Sequence, residues 1–452
     1  MAKKTFHIIP LGCAKNSVDA DSMAQLLIAA GYEPVADPRR ARVVIVNTCG
    51  FIGPAKEESF NALEEMAARK KSGQVLIAAG CLTQRYGADV AKRVPGIDDI
   101  LGTRRWMDIV DLVENQHGVG RTESRYHLSE AAAVGSDEHG ALRVSVEGAS
   151  AYLKIADGCR RRCAFCIIPK IKGPAVSRPI ESILAEARSL QDMGVREIIL
   201  IAQTTTDYGY DFGVKNGLAH LLTAMTAAVP EVDWIRVLYA YPGGVTNELI
   251  EVMATHKQLV PYLDLPLQHA HPLTLRRMHR PSSVAWVRKT LKKMRQAIPG
   301  MALRTTFIVG YPGETEAEFR TLLDFVEEIR FDKVGAFKFS FEPGTASEKL
   351  GDPIPEELKE ERLRRLMEKQ QPISLEHNQA FVGRTLDVLI EGAGEDISIG
   401  RSYRDAPKID GLVLVKGEIP VGSMVPVRID KAMVYDLSGV AVKQRDGRSG
   451  PL

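Results

Sequence analysis

Three cysteines fall within eight residues, Cys159, Cys163 and Cys166 in Gly158-Cys-Arg-Arg-Arg-Cys-Ala-Phe-Cys-Ile-Ile-Pro169. At this C-x3-C-x2-C spacing three thiolates can wrap one corner of an iron-sulfur cube and leave the fourth iron without a protein ligand. Such an iron can bind and reduce an outside molecule, at a potential set by burial and by hydrogen bonds to the sulfurs. A zinc knuckle or a disulfide hairpin would use the same residues differently. Structural zinc takes four protein ligands as a rule, and no His or fourth Cys lies near the triplet.

The remaining cysteines, Cys13, Cys49 and Cys81, share a context. Each follows a short apolar run: Phe6-His-Ile-Ile-Pro10 before Leu-Gly-Cys13, Val43-Val-Ile-Val46 before Asn-Thr-Cys49-Gly, and Val75-Leu-Ile-Ala-Ala79 before Gly-Cys81. A helix-like stretch of mixed polarity follows each, which makes three β-loop-α units. Carboxyl ends of parallel strands share one edge of the sheet, so three residues far apart in sequence can converge there as a second three-thiolate site. Buried structural cysteine is the plainer alternative, because Cys packs like a small hydrophobe. Two trios use all six cysteines of the chain.

Free thiols for metal fit a reducing cytoplasm. The opening Met-Ala-Lys-Lys-Thr passes straight into a strand without a charged-then-apolar leader. No apolar run approaches the roughly 18 residues that would span a bilayer. At 452 residues the chain has room for about three domains. A net charge of +2 excludes little, but no acid lies between Asp264 and Glu314, where Arg276, Arg277, Arg280, Arg288, Lys289, Lys292, Lys293, Arg295 and Arg304 all fall. That run is either a solvated helix face or a surface that steers an acidic partner such as RNA.

The elements that would position these residues divide the chain. Residues 4–115 read as an amino-terminal parallel α/β domain ending with a strand and turn at Ile97–Gly102, and 116–148 lack sustained periodicity and read as a linker. Residues 149–372 alternate: strands at 152–155, 197–201, 234–238, 302–309 and 333–339, and helices at 179–193, 218–228, 247–255, 273–298 and 316–330. This is a (βα) barrel pattern with too few units for eight strands, so a partial barrel is expected, with its site at the carboxyl ends of strands. Gln203 and the Gly310-Tyr-Pro-Gly-Glu314 turn follow such strands. Gly310 and Gly313 would allow tight turns and close approach to a ligand. Glu314 would bind an amine or cap the next helix, and Gln268, His269 and His271 would line the mouth. A charged helix opens at Pro355, and over 373–443 five short alternating runs split by Gly, Pro and Asp describe a small antiparallel β-barrel.

Taken together, Leu11-Gly-Cys13, Asn47-Thr-Cys49, Gly80-Cys81, the Gly158–Pro169 loop with Phe165 before its last cysteine, Ser177-Arg-Pro179, Leu265-Pro-Leu-Gln-His269 and Gly310-Tyr-Pro-Gly-Glu-Thr315 resemble the radical S-adenosylmethionine (SAM) methylthiotransferases over essentially the whole chain. The resemblance implies an amino-terminal methylthiotransferase domain, a radical SAM partial barrel and a carboxy-terminal TRAM barrel. It implies two 4Fe-4S clusters on the two cysteine trios, SAM, a sulfur donor, and an electron donor such as a flavodoxin or ferredoxin. SAM contacts would fall on Phe165, Gln203, Gly310, Gly313 and Glu314, with no catalytic side chain beyond the clusters, in a monomeric cytoplasmic enzyme.

Within the family, Gly400-Arg-Ser-Tyr-Arg-Asp-Ala-Pro-Lys-Ile-Asp-Gly-Leu-Val413 resembles the branch that modifies the β-carbon of an aspartate in ribosomal protein S-twelve and not the branch that modifies isopentenyladenosine in tRNA. Residues 373–442 carry ten acids and seven bases, a balance poorly suited to tracking phosphates. Asp405 and Asp410 are therefore expected to face a basic protein substrate. The tRNA reading keeps the basic run in its favour, and a non-catalytic iron-sulfur ribosome-binding factor is the reading from another class. Two positions depart from the family: Lys172-Gly173 replaces Arg-Gly, and Thr204 stands after Gln203 where Asp is usual.

Overall fold

The computed structural model describes residues 4–115, 125–129 and 140–442. Its first sheet is wholly parallel, in the order Glu33–Pro34, Thr5–Pro10, Val43–Thr48, Val75–Gly80, Asp99–Gly102, Arg125–His127. The central strand Val43–Thr48 is buried along its whole length, as a parallel strand covered on both faces must be. Phe6, Leu27, Ile45, Ile77 and Trp106 pack on one face, and Val44, Val46, Phe60, Leu76 and Val90 on the other.

The stretch expected to be a linker is partly structured. Arg125–His127 adds the sixth strand to this sheet, and Val144–Glu147 pairs antiparallel with Ser150–Lys154 in the next one. Both strands are too short to leave a periodic signal. Residues 116–124 and 130–139 of that stretch lie outside the described residues.

The second sheet is an open half-barrel of six parallel strands in sequential order, Ser150–Lys154, Glu197–Ile201, Trp234–Val237, Leu259–Asp264, Ala302–Val309 and Lys333–Lys338. Strand alternation sends Ile198 and Leu200 outward to the helices and Ile199 and Ile201 inward. Two local features escaped the sequence. Leu259–Asp264 is a buried strand despite Pro261 within it. The expected single helix over 273–298 is two, Pro272–Arg277 and Val284–Ala297, because His279 adopts φ +53° and Pro281 cannot continue a helix. The basic run is largely consumed by the fold: Arg277 pairs with Glu318, Arg288 with Glu328, Arg304 with Asp264, and Arg295 donates to the Ile329 carbonyl. Arg276, Lys289 and Lys292 stay exposed without an ion pair among the described residues.

The helix Glu356–Gln379 leads to a closed five-stranded barrel in the order Thr385–Ala393, Ile397–Ser402, Val413–Lys416, Leu437–Ala441, Met424–Ala432. All its pairings are antiparallel except Val413–Lys416 with Leu437–Ala441. The three units share one core. Val18 from the first, Tyr152, Ile199, Trp234 and Tyr262 from the half-barrel, and Leu389 and Ala406 from the closed barrel meet on the concave face of the open sheet. Among the described residues no helix is long and apolar enough to cross a membrane.

Asp405 and Asp410 do not face outward as the sequence suggested. Asp405 pairs with Lys333 at 2.7 Å; Asp410 accepts from the Tyr262 hydroxyl at 2.7 Å and lies 3.3 Å from Arg304. They dock the small barrel onto the half-barrel, so their charge is spent inside the molecule. Beside them Glu197, fully buried, accepts from Arg236 at 2.7 Å and Arg401 at 2.6 Å. Burial opposes its charge, but the two guanidiniums outweigh burial and bring its pKa to about 2. A carboxylate with a depressed folded pKa stabilises above its unfolded value near 4.3 and loses that contribution as pH falls through the folded value. Docking should therefore weaken between about pH 5 and pH 2, by an amount on the order of 3 kcal/mol for this group. Urea midpoints of Glu197→Gln should fall less steeply than wild type over the upper half of that window; parallel curves would exclude Glu197 as the source.

Candidate metal centres and active site

Both cysteine trios sit at the carboxyl edges of their sheets. Cys13 is the N-cap residue of the helix Ala14–Ala29, Cys49 follows the strand Val43–Thr48, and Cys81 opens the helix Cys81–Arg93 directly after Val75–Gly80. Glycine lets the three loops touch. A Cβ on Gly12 would stand 2.8 Å from Cys49 Cβ, and one on Gly50 only 2.6 Å from Leu82 Cα, beside Cys81. Asn16 then ties two of the loops: its Nδ2 donates to the Leu11, Asn47 and Thr48 carbonyls, while Asn47 Nδ2 donates back to the Asn16 carbonyl.

The thiols are unequal. Burial pushes Cys81 up to about 12, helped by Cys49 and Cys13, and raises Cys49 as well. For Cys13, whose residue reaches the surface, desolvation by the surrounding protein acts in the same sense, but Lys15, the Asn16 and Lys15 backbone N–H groups and Lys172 outweigh it and hold the thiol below its ordinary value.

In the half-barrel, the loop carrying Cys159, Cys163 and Cys166 is pinned by backbone contacts. Cys159 N–H donates to the Gly173 carbonyl, Ala164 N–H to the Met278 carbonyl, and Ser347 N–H to the Ala164 carbonyl. The helix break at 278–283 thus embraces this loop. Thr204 Oγ1 stands 3.4 Å from Cys159 Sγ, Arg161 N–H donates to the same sulfur at 3.4 Å, and Arg280 Nη1 lies 3.6 Å from Cys163 Sγ. Arg161 and Arg280 both stack on Tyr241, with guanidinium carbons 4.0 and 4.4 Å from its ring centre. Burial raises Cys159, and raises Cys166 to about 12.

All six donors are sulfur and each trio is mutually close enough for its thiols to shift one another's ionisation, which fits an iron-sulfur cluster at each. Among the described residues no group of three His, Cys, Asp or Glu is drawn together into a preformed site for a single metal ion. Occupation would have to remove protons from Cys49, Cys81, Cys159 and Cys166, which burial keeps protonated, so metal uptake releases protons.

The two trios are joined by a buried network that the sequence did not reveal. Lys172 Nζ donates to Asp19 Oδ2 at 2.7 Å and to Thr103 Oγ1 at 2.6 Å, and lies 3.7 Å from Asp157. Lys154 bridges the same two carboxylates at 2.5 and 3.0 Å, and Arg143 reaches Asp19 at 2.5 Å. Asp19 lies on the helix that Cys13 caps, Asp157 two residues before Cys159, and Lys172 next to the glycine that holds Cys159. Lysine's three separate donors suit this convergence better than a planar guanidinium would, which gives the departure at 172 a structural reason. Burial drives the charge of Lys154 down and Arg143 and Lys172 add to this, while the cations hold Asp19 far below the usual carboxylate range. On a second side, Arg85 pairs with Glu342 at 2.7 Å and donates to the Gly50 and Pro343 carbonyls.

The other residues expected at the site are spread around the strand ends. Phe165 packs against Met278, Tyr311 and Phe339. Gln203 Nε2 donates to Asp157 at 3.1 Å, and its buried Oε1 has no hydrogen-bond partner among the described residues. Glu314 does not cap the following helix; Thr315 does, with Glu318 closing the capping box. The Glu314 carboxylate accepts from Arg362 at 2.8 Å and from the Gly310 N–H at 3.1 Å, with His269 Nε2 3.5 Å away. Gly310 and Gly313 have φ +71° and +78°, and a Cβ on Gly310 would strike Lys359. His271 N–H donates to His269 Nδ1. The sequence marked Thr204 only as a departure from the family, Arg161 only as part of the cluster loop and Arg280 only as part of a basic run; their places beside the sulfurs come from the fold.

A profile of the radical SAM superfamily matches residues 153–326, one of an uncharacterized protein family, UPF0004, matches 5–102, and one of the TRAM domain matches 382–442. The chain is 48% identical to a ribosomal protein uS12 methylthiotransferase RimO of Roseiflexus sp., with 97% of each chain covered. Proteins of the same description from Chloroflexus aurantiacus and Microcystis aeruginosa are 47% and 46% identical, covering 97% of this chain and 99% of each relative. Among solved structures, the radical S-adenosylmethionine methyltransferase TsrM of Kitasatospora setae superposes with a TM-score of 0.55 at 14% identity over 76% of this chain and 77% of its own, a likeness of fold alone.

Proposed function

The chain belongs to the RimO family of ribosomal protein uS12 methylthiotransferases, and from that premise we propose that it places a methylthio group on the β-carbon of an aspartate of uS12. It is a transferase of the radical SAM superfamily, and so works with SAM and a 4Fe-4S cluster. We assign that cluster to Cys159, Cys163 and Cys166, and a second, sulfur-delivering cluster to Cys13, Cys49 and Cys81. The observation that carries this division is the placement of the trios on two facing sheet edges tied through Lys172, Asp19 and Asp157.

An unactivated C–H bond yields to no side-chain base; a 4Fe-4S cluster held by Cys159, Cys163 and Cys166 would supply, with SAM, the one-electron radical chemistry that such a bond requires. The chain's own residues orient and shield. Arg280, fixed against Tyr241, places a cationic group beside the Cys163 sulfur, while Arg161 gives its backbone N–H and Thr204 a hydroxyl to Cys159. Phe165 walls the loop, Gln203 offers its buried carbonyl oxygen to SAM, and Gly310, Gly313 and Glu314 shape the adjoining turn. Lys172, held in this network, favours thiolate at Cys13 and Cys81 of the first trio.

In this reading residues 4–115 deliver sulfur, 149–372 generate the radical, 373–443 form the TRAM barrel, and 116–148 connect the first two. An electron donor such as a flavodoxin or ferredoxin and a sulfur donor complete the cycle of a monomer working in the cytoplasm, where its thiols stay reduced. Mass spectrometry of ribosomal proteins and digested tRNA from a strain lacking the gene tests the acceptor. Loss of one methylthio mass from uS12 with tRNA unchanged is expected; the reverse pattern would move the enzyme to the tRNA branch.

A further inference from the structure

Lys15 is an anomaly by local rules. It stands in the first turn of the helix Ala14–Ala29, where the helix macrodipole repels a cation, and no acid shares that turn. It is only half-buried and makes no ion pair among the described residues. Its ammonium lies 3.2 Å from the centre of the Tyr239 ring. Tyr239 in turn is a non-glycine residue at φ +61°, a strained conformation locked by its N–H donating to Asp264 and its carbonyl accepting from Thr205. Dipole repulsion and backbone strain are thus both tolerated to hold one cation on one aromatic face.

The position of that cation is informative. Lys15 is two residues from Cys13, and Tyr239 is bonded to the neighbour of Thr204, whose hydroxyl touches Cys159. Cys13 and Gly12 are exposed beside it, so Lys15 stands at the exposed rim of the first trio, on the side where Tyr239 leads to the second. A carbon that loses hydrogen at one trio and gains sulfur from the other must pass between them, and an aspartate's reacting carbon carries a carboxylate one bond away. We infer that Lys15, held on Tyr239, is the binding group for the carboxylate of the acceptor aspartate. This rests on the uS12 reading above and adds the residue that tells an aspartate side chain from a neutral acceptor.

The test compares binding of uS12 with that of uS12 carrying Asn at the aspartate that mass mapping identifies, using the reconstituted full-length protein with SAM present. Wild type should prefer Asp by about tenfold or more, the size of one charge-assisted hydrogen bond. Lys15→Gln and Lys15→Met should bring the preference near unity, and Lys15→Arg should keep part of it. A role limited to balancing the charge of the Cys13 site would weaken both proteins alike, and a preference that survives in Lys15→Gln or Lys15→Met overturns the assignment. So does a loss of SAM affinity with the preference intact, which would give the ammonium to the methionyl carboxylate of SAM. The two readings fail separately, because absence of methylthio transfer to uS12 in the wild type removes the acceptor itself.

Discussion

Cys163→Ala should abolish reductive cleavage of SAM, whereas Cys49→Ala should retain cleavage and lose methylthio transfer. Cys163 is the middle ligand of its trio, with Arg280 beside its sulfur at 3.6 Å. An alanine there leaves two thiols at the ends of a loop whose backbone stays pinned to Met278, Ser347 and Gly173. Two ligands do not hold a cube that three are needed to anchor. Cys49 belongs to the other sheet, and its loss leaves the contacts of the 159–166 loop untouched. Iron analysis gives the same division: about eight irons in the reconstituted wild type, as two cubes require, and about four in either variant. Cleavage of SAM by Cys163→Ala at wild-type rate, or its absence from a Cys49→Ala protein that still holds four irons, would defeat the assignment of separate steps.

Asp19→Asn should be among the most destabilising single substitutions in the chain. Its side chain is 2% exposed and receives Lys172, Lys154 and Arg143 at 2.5 to 2.7 Å. Asparagine keeps the shape and removes the charge, leaving three buried cations to share Asp157. Breaking a buried ion pair by deleting one partner costs about 3–5 kcal/mol, because the remaining charge has lost its compensation. The unfolding midpoint in urea should fall accordingly, with the first domain loosening from the half-barrel. Replacing Lys154 by Met in the Asp19→Asn background should recover part of the loss, since it removes one surplus cation; a double variant as unstable as the sum of the two singles would mean that Lys154 and Asp19 are not coupled.

Much of the placement of the cysteines at strand ends was legible because it is local. The C-x3-C-x2-C spacing lies in one loop, and each of Cys13, Cys49 and Cys81 announces itself by an apolar run before it and a glycine beside it, so the rule that parallel strands present their carboxyl ends along one edge was enough to group them. Alternating runs after Thr385 likewise revealed a small barrel. Local signals failed where a residue's environment comes from elsewhere. Pro261 hid the strand Leu259–Asp264, which exists because neighbouring strands and an inward core hold it. The basic run looked like one surface, yet most of its charges are paired by acids and carbonyls of other elements.

The tertiary structure alone decided what the isolated charges do. Asp405 and Asp410 read as a docking face for a substrate, and the fold turns them inward onto Lys333, Tyr262 and Arg304. Lys172 read as a doubtful replacement, and the fold makes it the tie between Asp19, 153 residues away, and the loop of Cys159. Ligand spacing and strand periodicity are short-range properties that a sequence carries in itself. The worth of a buried charge depends on partners brought from distant parts of the chain, and on the desolvation that only the assembled core imposes.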